Sequence, residues 1–140
     1  MGNDLVLRVV AKWLIPVIIL FALYVQFHGD YSPGGGFQAG VIFSTAILLY
    51  ALIFGIDAAV KVIPETALRL CASFGVLLYA GVGVVSMLMG GNFLNYSVLA
   101  TNPIAGQHIG IIVIELGVGI TVASVMILLF FTFARRVAPE

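Results

Sequence analysis

The chain has 140 residues, of which 62% are hydrophobic and 9% charged, with six Lys plus Arg balanced by six Asp plus Glu. Soluble domains carry roughly 25% charged residues, so this composition excludes a soluble catalytic domain and fits the bilayer class. Zero net charge removes the bulk basic character that would point to nucleic acid.

A membrane helix needs about 20 mostly apolar residues, and the chain reads as an all-α integral membrane protein of four such helices, one membrane domain over residues 1–140. Span one runs from about Val9 to Phe27, entered by Arg8, Lys12 and Trp13 and interrupted by Pro16, where a kink is expected. The stretch ahead of it lacks the small-residue cleavage pattern of a secretory signal, so the span is read as retained. It closes at His28, Gly29 and Asp30. A tight turn follows at Pro33, Gly34, Gly35 and Gly36, because Pro fixes its own φ while Gly tolerates conformations closed to other residues. Span two covers about Phe37 to Ile56, and the charged break from Asp57 to Glu65 reads as a loop. Span three covers about Thr66 to Met89. The segment Gly90 to Gln107, with Asn92, Asn95, Asn102 and Pro103, is the longest polar connection, and span four runs from about His108 to Phe133, stopped by Arg135 and Arg136.

Every basic residue falls on the termini, on the second loop or in the first turn of the span beside them: Arg8 and Lys12, Lys61 and Arg69, Arg135 and Arg136. The first and third loops carry none, so the positive-inside rule puts both termini and the second loop in the cytoplasm and the glycine turn outside.

Small and polar residues recur at helical spacing in three spans, the pattern that lets membrane helices approach closely. They are Gly36, Gly40, Ser44, Ala51 and Gly55 in span two, Gly75, Tyr79, Gly83, Ser86 and Gly90 in span three, and Gly106, Gly110, Gly117, Thr121 and Ser124 in span four. These stripes either hold the four helices to one another or receive helices of other subunits. Cys71, the single cysteine, lies in an apolar run and is expected to pack, since one thiol builds neither a disulfide nor a cysteine-ligated metal site within a chain.

Chemistry has few places to sit. Glu115 lies about seven residues into span four, where a carboxylate is costly unless paired, protonated or wetted. At 100° per residue it falls nearly opposite the stripe of span four and shares a face with His108, about 10.5 Å away along the axis. Two readings follow: Glu115 and His108 belong to an ion or proton path, or Glu115 is a docking contact for a neighbouring subunit. His28 and Asp30, at the outer end of span one, are able to exchange a proton or cation with water, or are simply solvated. The glycine triplet lacks the Lys of a phosphate-binding loop; it is a structural turn or an anion site at a helix start. No cofactor and no metal site is called for.

The run Gly29-Asp30-Tyr31-Ser32-Pro33-Gly34-Gly35-Gly36-Phe37-Gln38-Ala39-Gly40 resembles the signature of the MnhB (MrpB) family, the B subunits of multisubunit sodium/proton antiporters, whose pattern is close to Gly-His-X-X-Pro-Gly-Gly-Gly-Phe followed by small residues. The likeness extends across all four spans, and the segment Gly106 to His108 is also similar. Asp30 stands where many members have His. The resemblance implies a small, non-catalytic accessory subunit of a cation/proton antiporter in a prokaryotic cytoplasmic membrane. Its implied partners are other small membrane subunits and large subunits like the proton pumps of respiratory complex I. Similar modules occur in membrane-bound hydrogenases and related redox complexes. With its two Lys, Lys12 and Lys61, at the cytoplasmic ends of the spans and none deep within one, the chain is not itself the main pump under this resemblance.

Overall fold

The computed structural model describes residues 2–29 and 34–137. Four helices in it are long and apolar enough to cross a membrane. Helix α1 spans Gly2–Phe27 and runs through Pro16; α2 spans Gly36–Phe54; α4 spans Glu65–Leu88; α5 spans Pro103–Val137. A short fifth helix, α3, covers Ile56–Val62, and a single 3-10 turn occupies Tyr96–Val98.

The helices stand in a curved row. α1 packs on α2, α2 on α5 and α5 on α4, while α1 touches α5 only lightly. α5 therefore lies between α2 and α4, and its sequence has to serve two partners.

Several boundaries differ from the sequence expectation, beginning with α1, which starts at Gly2 rather than near Val9. α2 stops at Phe54 because Gly55 takes φ 95°, a conformation few other residues adopt, and its N–H donates to the Ala51 carbonyl. The segment read as a loop then coils at once into α3, whose Ala59 is buried beside Ala51, Leu68, Ile127 and Phe131, while Asp57 and Lys61 remain exposed. Pro64 ends it by barring the preceding residue from helical geometry, and Ile63 accordingly sits at φ −129° and ψ 96°.

A further difference is the start of α5, at Pro103 rather than His108. Asn102 precedes it, and its side-chain oxygen accepts from the Ile104 N–H at 3.0 Å, with Pro at the first helical position where its missing N–H costs nothing. At the other end Arg135 and Arg136 do not stop the helix, which continues to Val137. Cations are favoured in a last turn, and Arg135 also donates to Glu65 of α4 at 2.6 Å, with Arg69 on the same carboxylate at 3.4 Å. Both partners of the Arg135–Glu65 pair keep some contact with solvent. Arg135→Gln is therefore expected to cost about 0.5–1 kcal/mol, measured as a lowered unfolding temperature in detergent, and high salt should erase most of the difference.

At the opposite end, Gly90 at φ 86° closes α4, and Gly91 donates back to the Ser86 carbonyl at 3.0 Å. The connection folds onto the bundle. The ring of Phe93 lies on Gly83, the ring of Tyr96 lies on Gly110, and the Tyr96 carbonyl abuts Gly106. Gln107 donates to the Ser97 hydroxyl at 2.8 Å. Gly83, Gly106 and Gly110, read from the sequence as helix-packing positions, thus have loop groups as their nearest neighbours. A bare Cα accepts an aromatic ring as readily as a helix. Burial, with a smaller contribution from Tyr79, pushes the Tyr96 hydroxyl above its usual value.

Candidate functional site

Two faces of α5 meet their neighbours backbone to backbone. On the α4 side, Gly117 approaches Gly75 so closely that a methyl group on Gly117 would stand 2.8 Å from the Gly75 carbonyl oxygen. Thr121 donates to the Gly117 carbonyl at 2.8 Å and reaches the Ala72 carbonyl of α4 at 3.5 Å. On the α2 side, Gly36 lies against the backbone of Glu115, and Gly40 lies against the Gly119 carbonyl and Val122. Successive small residues on α2 let α5 descend to contact distance.

That second crossing brings Glu115 to the glycine turn. Its carboxylate faces Gly29, at the end of α1, and Gly35, where a methyl group would stand 2.9 Å from Oε1. Gly35 is the residue before α2 and holds φ 127°, open to glycine and little else. The carboxylate therefore lies beside the first turn of α2, where helix N–H groups are unpaired within the helix and favour negative charge. The sequence offered a glycine turn able to receive an anion and, separately, an intramembrane acid in want of surroundings. The fold joins them.

Of the remaining candidates among the described residues, only His28 and Gly34 are neighbours in sequence of the two glycines that meet Glu115. His28 is half-buried; its Nδ1–H donates to the Tyr24 carbonyl at 2.9 Å, and its ring stacks on Tyr24 with centroids 4.0 Å apart. It adjoins Gly29 and so sits one residue from the Glu115 contact. His108 is exposed on α5, two turns before Glu115. Gly34 is half-buried and Phe37 is exposed. Asp30 and Pro33, both singled out from the sequence, lie outside the described residues.

Gln26 was not among the residues expected. It projects from α1 with 9% of its surface exposed, and its Oε1 lies close to Gly119 of α5. An amide within a bilayer-length apolar run was the available signal.

These features define a multi-pass helical membrane protein with an acid gripped at a glycine turn. The family described as "Domain related to MnhB subunit of Na+/H+ antiporter" matches residues 6–128. Proteins named "Putative antiporter subunit mnhB2" in Staphylococcus aureus strains Newman, JH1 and Mu3 are each 35% identical over 128 residues, covering 89% of this chain and 90% of theirs. The chain belongs to the MnhB family.

Proposed function

We propose that this chain is a small accessory subunit of a multisubunit Na+/H+ antiporter in a prokaryotic cytoplasmic membrane, with both termini and α3 on the cytoplasmic side. Membership in the MnhB family supports the subunit role, and the confinement of all six basic residues to one end of the bundle supports the orientation. Acting as one membrane domain, the chain contributes a wall to a larger complex rather than catalysis. Its partners are large antiporter-like subunits and other small membrane subunits, and the ions moved by the whole are Na+ and H+.

The observation that carries an ion role is the seat of Glu115 between Gly29 and Gly35 at the start of α2. An acid held there by backbone contacts has a fixed position and a polar environment, which suits a group that takes up and releases a proton. His28, which adjoins Gly29, and His108, two turns earlier on α5, are the other titratable members proposed for the path, with Asp30 added from the sequence alone. Membership in a redox complex is the second reading, and the antiporter names of the relatives favour the first.

Glu115→Gln preserves size and packing while removing the titrating group. Exchange in everted vesicles is expected to fall about tenfold or more, equivalent to about 1.4 kcal/mol, at unchanged abundance of the assembled complex. Wild-type exchange with a wild-type pH profile would assign Glu115 to docking alone. Tagged purification with mass spectrometry of the co-migrating proteins decides the class of complex, because iron–sulfur or hydrogenase subunits would move the chain to the redox reading.

A further inference from the structure

A cavity of about 320 Å³, partly open to the surface of the bundle, lies between α1, α2, α4 and α5, walled by Ala39, Gly40, Cys71 and Gly119 among others. Its surface is almost entirely apolar, with two exceptions. Gln26 and Ser124 both line it and are 9% and 4% exposed.

Serine and threonine in membrane helices usually satisfy their hydroxyls by donating to a carbonyl one turn back. This chain follows the habit at Ser44, Thr45, Ser73, Ser86, Thr121 and Thr132. Ser124 makes no such bond among the described residues. Neither does Gln26, whose amide offers two donors and two acceptor sites. Leaving buried polar groups unmatched costs about 1–3 kcal/mol each by mutational measures, and hydrocarbon offers no relief. Two such groups, from different helices, share one cavity.

The cavity therefore calls for an occupant that hydrogen-bonds. A lipid chain satisfies neither group. Water satisfies both, and a single molecule needs only about 15 Å³ of such volume. The Gln26 oxygen also lies by Gly119, one helical turn or about 6 Å beyond Glu115 along α5.

We propose that this cavity is hydrated, with its water held by the Gln26 amide and the Ser124 hydroxyl. Its service as a water supply for Glu115 rests on the ion role given above; its hydration does not.

Ser124→Cys, made with Cys71→Ala so that it is the only thiol of the chain, replaces one small polar atom by another at the cavity wall. In membranes containing the whole complex, N-ethylmaleimide crosses the bilayer but attacks the thiolate, which forms only where water is present. Labelling at position 124 is expected to be at least about tenfold faster than at Val125→Cys, a neighbouring position on the exposed surface. Equal rates would overturn the proposal, because a lipid chain or a partner's apolar helix fills the cavity in that case. Adding Gln26→Met, which keeps the length and removes the amide, is expected to slow labelling at 124 and not at 125; an unchanged rate in an assembled complex removes Gln26 from the site. If Gln26→Met prevents assembly, the comparison of 124 with 125 still decides hydration. Adding Glu115→Gln should leave labelling fast. Fast labelling beside undiminished exchange would discard the ion role of Glu115 and leave the hydrated cavity standing.

Discussion

Gly36→Ala is expected to lower stability by about 3 kcal/mol or more and to deplete the assembled complex. In an isolated helix the change would be favourable by up to about 1 kcal/mol. Here the new methyl would lie 2.7 Å from the Glu115 carbonyl carbon and 2.9 Å from its Cα, and closer still to the carbonyl oxygen. No rotamer change relieves a clash with backbone, so α2 and α5 must separate along their whole crossing. Separation would also lift the Glu115 carboxylate from Gly29 and Gly35. Thermal unfolding in detergent measures the first effect, and the yield of tagged complex from membranes measures the second. An unfolding temperature equal to wild type would show that the two backbones are not in contact.

Gly75→Val is expected to do comparable damage on the other face of α5. A Cβ there would overlap the Thr121 hydroxyl and stand 2.5 Å from the Gly117 carbonyl oxygen. Thr121 is able to rotate away, at the cost of its bond to Gly117, but the carbonyl belongs to the helix. The two extra methyl groups enlarge the intrusion, and a loss of about 3 kcal/mol follows from overpacking of this kind. Gly81, on the same helix, has nothing within 4 Å of the corresponding position. Gly81→Ala is therefore the control, expected to be neutral or to stabilise by about 0.5–1 kcal/mol. If both substitutions behaved alike, glycine content rather than a specific α4–α5 contact would govern this helix.

Much of the architecture was written in the sequence, because bilayer thickness imposes a minimum apolar length that four segments meet. The opposition of Glu115 to Gly117 and Thr121 around α5 could likewise be read at 100° per residue. Which neighbour each face meets could not, since that depends on the order of helices in the row. For the same reason nothing local connected Glu115 to the distant glycine turn. The start of α5 is signalled by Asn102 and Pro103, yet that cap lies inside the polar run of residues 90–107, whose composition is that of a loop. α3 was missed because Asp57 and Lys61 read as loop charges, although they occupy the exposed side of a short helix whose Ala59 is buried. Glycines at 83, 106 and 110 share the spacing of Gly117, and spacing alone does not distinguish a seat for a ring from a seat for a helix.

The length of α5 has an electrical consequence. Its 35 residues extend about 52 Å at 1.5 Å each, against a hydrocarbon layer of about 30 Å. With Arg135 and Glu65 anchored at one boundary, about 20 residues of helix carry the chain across, and that count ends at Glu115. The acid thus sits near the far boundary of the hydrocarbon, level with the α1–α2 turn, and the first turns of α5 stand beyond it. Under the proposed ion role, a proton exchanged between Glu115 and the compartment at that turn would cross almost none of the transmembrane voltage. One that continued from Glu115 toward the Arg135 end would cross nearly all of it, about 2.3 kcal/mol for every 100 mV.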